Sequence, residues 1–367
     1  MKKTATITWV KYTNYGTLLQ AYALQQYIKG MGYGNSILSD ENIIEPYQKT
    51  IRAKIDTVKS YISRLIWRNR FVKSVQCNEM CQKFKQLYLD IDYHTDVFSQ
   101  IDSVYDIFIC GSDQIWNPGP SYYKRLNSPF YYAGFTNKEK ISYAPSLGIY
   151  EYPVKHKEEF ISYIKDFKFL SAREKIGCDI IKSLTGRDVF CAVDPTLLLS
   201  EKQWRNLIGE KQKGEKYILT YFLSYNKLYM NAAKDFANRN GLKLKSVFLM
   251  QNSKIESHMD LVCGPIEFLQ AIDSASYVFT DSFHGTLFSV ILETKFITFK
   301  RFDKINVAQN ERILNLYKML GIEMNLVDET DLFRVEPLLN FDFQSAKRNL
   351  EVYIKASKEY LSNALKE

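Results

Sequence analysis

The feature that most restricts this chain is an alternation that runs, breaks once and starts again. Short apolar runs of strand type are separated by stretches whose apolar residues recur at helical spacing. Residues 4–10 read as a strand, and Leu18, Leu19, Tyr22, Leu24 and Ile28 mark a helix behind it. Further strands are expected over 37–38, 105–110, 141–144, 169–172 and 189–193, with helices over about 75–89, 154–166 and 175–184. Asp194-Pro195 interrupts the pattern. It resumes with strands over 217–223, 244–250, 277–280 and 296–299 and helices over 227–240, 266–274, 286–293 and 311–320. Strands alternating with helices imply an α/β chain with mostly parallel sheets. Two such blocks imply two Rossmann-like domains, over 1–195 and 196–343. A final helix over 344–367 is expected to pack back on the first.

Composition limits the alternatives. Hydrophobic residues make up 46% and charged residues 25%, which is ordinary for a soluble globular chain. The longest apolar run, about six residues at 287–292, is far short of the roughly 20 a membrane span requires. The opening MKKTATITWV has no apolar stretch of signal-peptide type and reads as a first strand. With six cysteines and no sign of export, free thiols and a cytoplasmic location are expected.

The net charge of +8 is concentrated in one place. Lys49, Arg52, Lys54, Lys59, Arg64, Arg68, Arg70 and Lys73 stand against the single acid Asp56 in that window, and the rest of the chain is close to neutral. Ile51, Ile55, Val58, Ile62, Leu65 and Ile66 step at helical spacing through the same window. An amphipathic basic helical excursion over 49–89 is therefore expected, not a nucleic-acid-coating surface. Its basic part, 49–73, can pack by its apolar face or lie on an anionic membrane.

In open α/β sheets ligands bind beyond the carboxyl ends of the strands, so chemistry is sought in the strand-to-helix loops. Asp281-Ser282-Phe283-His284-Gly285-Thr286 follows one strand, and its histidine suits proton transfer near neutrality. The same residues could equally cap a helix. Arg173, in Ser171-Ala172-Arg173-Glu174-Lys175, offers a planar fork for a carboxylate or phosphate, or a pairing with Glu174. Asn14-Tyr15-Gly16-Thr17 can present backbone N–H groups to an anion. Ser112, Asp113 and Trp116, in Gly111–Asn117, form a sugar-facing set or an N-cap beside a core tryptophan. Lys300, Arg301, Lys304 and Arg312 can add cations near His284. Neither GxGxxG, GxxxxGK[ST] nor GxSxG occurs. Cys77 and Cys81 have no second ligand pair at zinc spacing, so no metal is expected.

Taken in order, six stretches resemble the polysaccharide pyruvyl transferase family: YTNYGTLLQAYALQ (12–25), YDIFICGSDQIWN (105–117), ISYAPSLG (141–148), FLSAREKIG (169–177), VDPTLLL (193–199) and IDSASYVFTDSFHGTLFSVI (272–291). The resemblance implies two Rossmann-like domains of GT-B type facing across a cleft. It implies phosphoenolpyruvate as co-substrate, without a metal or other cofactor, and a saccharide acceptor whose two hydroxyls become bridged by a pyruvate ketal. Arg173 and His284 match the family's catalytic positions. Ser282, Gly285, Thr286, Lys300 and Arg301 would complete the donor side, and Asn14, Tyr15, Gly16, Ser112, Asp113 and Trp116 the acceptor side. Family members of D-R-L-H-G form carry an arginine where this chain has Ser282, so another cation, Lys300 or Arg301, would have to replace it. His284 is either the proton donor to the enol or a phosphate ligand. The acceptor expected is lipid-linked, at the inner face of the membrane. A nucleotide-sugar glycosyltransferase, with Glu267 as the ribose-binding carboxylate, and a non-catalytic glycan- or anion-binding protein are the alternatives.

Overall fold

The computed structural model describes residues 2–11, 13–39, 68–93, 98–119, 129–211, 214–249, 260–301, 309–322, 326–332 and 341–366. In the first half, β1 (Lys3–Ile7), α1 (Tyr15–Gly30), β2 (Gly34–Leu38), α2 (Arg68–Tyr88), β3 (Ile91–Asp92), α3 (Phe98–Val104), β4 (Ile107–Cys110) and β5 (Glu139–Ser142) follow one another. All strand pairings are parallel, in the order β3-β2-β1-β4-β5. Beyond β5 the chain continues through α4 (Lys157–Ile164), β6 (Ser171–Ala172), α5 (Lys175–Thr185) and β7 (Phe190–Cys191). A parallel bridge between Ile141 and Phe169 carries the sheet on towards the β6–β7 pair.

After α6 (Glu201–Ile208) the second half repeats the plan with β8 (Tyr217–Tyr221), α7 (Lys227–Arg239), β9 (Lys243–Val247), β10 (Asp260–Leu261), α8 (Pro265–Ser274), β11 (Tyr277–Thr280), α9 (Phe283–Ile291) and β12 (Phe296–Thr298). Its order, β10-β9-β8-β11-β12, matches the first, again wholly parallel. α10 (Asn310–Leu320) and α11 (Phe343–Lys366) follow. The strands β4 and β8 are buried along their whole length, as parallel strands covered by helices on both faces must be.

Two helices depart from the amphipathic pattern. Every residue of α9 is buried, and so are most of α1. A helix that is apolar all round needs cover on every side, and here the other lobe provides it. One continuous apolar cluster runs from Ile109 and Tyr143 through Leu18, Leu24 and Trp204 to Leu287 and Phe288. The expected cleft is thus floored by a core common to both lobes.

Both helices also begin three residues earlier than hydrophobic spacing predicts. The Asn14 side chain accepts from the N–H of Thr17, and that of Ser282 from the N–H of Gly285. Each is an N-cap that starts the helix ahead of its first apolar repeat. α11 spans the two lobes. Ser357 Oγ accepts the Val193 N–H (3.0 Å), Tyr360 donates to the Ser142 carbonyl (3.0 Å), and Lys347 Nζ lies 2.7 Å from Glu293 Oε1.

Most of the basic window, 49–67, lies outside the described residues, as do Lys304, His94 and His258. Its last two cations are not directed at a lipid surface. Arg70 is buried over the Phe248 ring, and Arg70 and Lys73 reach Asp260 of β10 at 3.4 and 2.9 Å. They tie α2 to the second sheet, because a buried carboxylate such as Asp260 requires cationic partners. Among the described residues no helix is long and apolar enough to cross a membrane.

Candidate active site between the two lobes

Residues that follow β1, β6 and β11 meet in one place. Gly16, in the first turn of α1, packs against the ring of His284, in the first turn of α9. A Cβ at position 16 would lie 2.1 Å from Nδ1 of the imidazole, so only glycine fits there.

The other face of the site is built on Asp194, the residue that breaks the sequence pattern. It is buried, and Oδ1 caps the following turn by accepting from the N–H and hydroxyl of Thr196 (3.0 and 2.7 Å). Oδ2 accepts from Nη1 of Arg173 at 2.7 Å, and Nε2 of His284 lies 3.4 Å from the same oxygen, outside hydrogen-bond alignment. The guanidinium from the first lobe and the imidazole from the second thus meet on one carboxylate. Burial alone would raise the Asp194 carboxyl, but the neighbouring His284 and Arg173 and the Thr196 amide hold it well below the ordinary carboxylate range. Arg173 shows the mirror case. Burial opposes its charge, yet the carboxylates of Glu174, Asp194 and Asp113 hold it above the ordinary guanidinium value. Its Nε reaches Glu174 Oε1 at 3.2 Å. Nη2 of Arg173, Oε2 of Glu174 and Nε2 of His284 are buried with no hydrogen-bond partner. Buried polar atoms of this kind are costly unless something pairs with them.

The second lobe adds two more guanidiniums. Arg301 is buried, donates from Nε to the Asp281 carbonyl (2.9 Å) and has Asp281 Oδ2 at 3.8 Å. Asp281 accepts the N–H groups of Leu223 and Ser224 at 2.6 and 3.0 Å, and burial pushes its carboxyl up despite Arg301 and those amides. Arg312, in the first turn of α10, is buried with its Cζ 5.8 Å from the centre of the Phe283 ring. Arg173 Cζ lies 5.0 Å from the same ring.

The remaining expected site residues divide sharply. Ser282, Gly285 and Thr286 satisfy one another: the Ser282 carbonyl accepts from the N–H and hydroxyl of Thr286 (both 3.0 Å), and a Cβ on Gly285 would strike Thr280 Oγ1 at 2.6 Å. They build the turn that aims His284. Lys300 is exposed, and its charge lies beside Asp328 rather than in the buried cluster. On the acceptor side, Trp116 is corrected to a core residue. It is fully buried, stacks on Tyr132 at 5.5 Å, and its N–H is taken by the Tyr131 carbonyl. Ser112 is likewise buried and donates to the Ala144 carbonyl. Tyr15 stacks on Phe268 at 5.0 Å, across the junction of the lobes. Asp113 accepts from Thr17 Oγ1 (2.5 Å) and the Gln114 N–H (2.8 Å) and contributes charge to Arg173. Of this set only Asn14 is exposed, as the cap of α1. Glu267 accepts the Gly264 N–H at the start of α8 (3.1 Å), a helix-capping use that the alternative assignment to a ribose did not foresee.

Asp194 and Glu174 were not singled out as site residues from the sequence. Asp194-Pro195 reads as a break, and its Asp-Pro-Thr form is also the signature of a side-chain-capped turn, which would have marked the carboxylate as buried and fixed.

Two parallel lobes of one strand order, joined at their strand ends, define a GT-B protein. Solved structures of this fold share it at low identity. A UDP-N-acetylglucosamine 2-epimerase of Listeria monocytogenes, described as putative, aligns with TM-score 0.53 and 10% identity over 95% of this chain and 91% of that one. The Methanocaldococcus jannaschii UDP-GlcNAc 2-epimerase aligns with TM-score 0.51 and 11% identity over 96% and 99%. No curated protein matches the chain significantly. The sequence model of the polysaccharide pyruvyl transferase family matches residues 14–301, and the chain belongs to that family.

Proposed function

We propose that this chain is a pyruvyl transferase that moves the pyruvate unit of phosphoenolpyruvate onto two hydroxyls of a saccharide as a cyclic ketal, in surface or capsular polysaccharide synthesis. The observation that supports this reading most directly is the meeting of Arg173 and His284 on Asp194, with an unpaired nitrogen on each. A small molecule carrying a carboxylate and a phosphate close together would pair with both.

In this reading the His284 imidazolium gives its proton to the methylene carbon of the enol, which leaves positive charge on the adjacent carbon. The first acceptor hydroxyl adds there and returns its proton to the imidazole. Phosphate departs with the cleaved C–O bond, and the second hydroxyl closes the ring, its proton leaving on the phosphate. Asp194 holds the imidazole in place and stabilises its charged form, while Arg173 fixes the donor anion. Acceptor specificity falls to surface outside the buried set, since Trp116 and Ser112 face inward. A lipid-linked acceptor belongs to the same proposal, and so does a contact of the basic window 49–73 with anionic membrane in which Arg70 and Lys73, held at Asp260, take no part.

The test is incubation with phosphoenolpyruvate and a panel of aryl and lipid-linked glycosides, read by mass for pyruvate addition and by phosphate release. Pyruvate on the glycan with stoichiometric phosphate is expected. Stabilisation of the protein by UDP- or GDP-sugars and not by phosphoenolpyruvate would overturn it.

A further inference from the structure

Arg312 lies outside the stretch matched by the family and is buried. Its Nη2 donates to Gln309 Oε1 at 2.8 Å, and its Nε has no partner. Among the described residues no carboxylate pairs with it. Arg301 donates from Nη1 to the same Gln309 oxygen, so two guanidiniums converge on one neutral acceptor. The third, Arg173, lies against the same Phe283 ring as Arg312 and presents its own unpaired Nη2. The next residue after that ring is His284.

Burying like charges together is unfavourable unless an opposite charge joins them. Burial and the charges of Arg173 and Arg301 pull the Arg312 guanidinium down to about 9, although Glu174 and Asp113 act the other way. The carboxylates nearby are already committed: Asp194 and Glu174 to Arg173, and Asp281 to Arg301 and two backbone amides. The three guanidiniums are matched in number by those three carboxylates, yet Nε of Arg312 and Nη2 of Arg173 are buried without an acceptor, and Oε2 of Glu174 without a donor.

We infer that Arg312 is a ligand-binding residue for a phosphate-type dianion, holding the phosphate of a phosphate monoester against Arg173. The inference rests on the reading of this cleft as a phosphoenolpyruvate site, and it names the side chain that supplies the cation absent at Ser282. Lys300 is thereby excluded from that role, and Arg301 is left to support Arg312 through Gln309. A phosphate-type dianion matches the site because its several oxygens can take the free Nε of Arg312 and the free Nη2 of Arg173 together.

The experiment is a thermal shift of the full chain with inorganic phosphate as probe, on the wild type, Arg312→Gln and Arg312→Lys, followed by steady-state kinetics with phosphoenolpyruvate. Phosphate is expected to raise the wild-type Tm. Arg312→Gln should keep or raise the unliganded Tm, by about 2–4 °C, because a strained buried charge has gone, and should abolish the phosphate shift. Arg312→Lys should keep a weakened shift. The KM for phosphoenolpyruvate should rise at least about tenfold in Arg312→Gln, with a smaller change in kcat, one tenfold step corresponding to one lost charge-assisted contact. A wild-type shift retained in Arg312→Gln, a fall in unliganded Tm in both variants, or no phosphate shift in the wild type overturns the inference. Loss of the phosphate shift in Arg312→Gln, in a protein that forms no ketal on any glycan, would sustain this assignment while removing the proposed reaction.

Discussion

The two lobes have the same sheet order, yet they bring opposite electrostatic characters to their junction. On the first lobe's side a single guanidinium, Arg173, faces the carboxylates of Glu174, Asp194 and Asp113. The second lobe brings Arg301, Arg312 and His284 with one carboxylate of its own, Asp281, which Arg301 takes, while His284 lies against Asp194. A shared fold therefore fixes where a site lies but not what it will accept. The first wall carries more carboxylates than cations, and the second more cations than carboxylates.

The largest effect expected from disturbing this division is chemical. His284→Ala should lower phosphoenolpyruvate-dependent phosphate release in the presence of acceptor by about 10²–10⁴-fold. A residual rate within about threefold of wild type would place the proton source elsewhere. Next comes the joint between the walls. Asp194→Asn leaves Arg173 buried with a weaker partner and should cost about 3–5 kcal/mol in denaturant unfolding. The sign of its pH dependence follows from its depressed folded pKa. The stabilisation it gives is complete above the unfolded value of about 3.9 and drains as pH falls through the lower folded one. Wild type should accordingly lose stability below about pH 4 more steeply than Asp194→Asn.

A smaller effect is expected at the contact of the two first turns. Gly16→Ala forces a methyl into the His284 ring and should cost about 1–3 kcal/mol through displaced packing, with activity falling more than stability alone explains. Smallest are the two caps. Asn14→Ala and Ser282→Ala should each lose about 1 kcal/mol of stability, but only Ser282→Ala should also depress turnover, because its helix carries the imidazole on its first turn. Equal losses of activity in the two variants would blur the division of labour between the lobes.

Much of the architecture was legible in the sequence because parallel strands buried on both faces read as continuous apolar runs, as in YILTY and IFIC. The helix starts were misplaced because apolar spacing ignores caps, and Asn14 and Ser282 act through one side-chain oxygen each. Trp116 was misread for a related reason. A tryptophan beside Ser, Asp and Gln looks sugar-facing, but whether its N–H finds the Tyr131 carbonyl is decided by a segment some fifteen residues away. Arg173 and His284 stood out because they follow strands and are of unusual type for such loops. Asp194 did not, because its role depends on residues 21 positions before it and 90 after it. Arg312 was visible only as one cation among several, since burial and not position separates it from Lys300.

The long helix α11 makes assembly of the molecule non-sequential. The first strand begins at Lys3, but the Tyr33 hydroxyl donates to the carbonyl of Leu365 and the Val193 amide waits for Ser357. While the chain is being synthesised from its amino end, the first sheet can form early, as leading domains do. Its seam with α11 stays open until more than 160 further residues have emerged beyond Val193. A ribosome paused within the second lobe would hold a nearly finished first lobe whose last face is still wet, and that is the stage at which a helper protein would have most to shield.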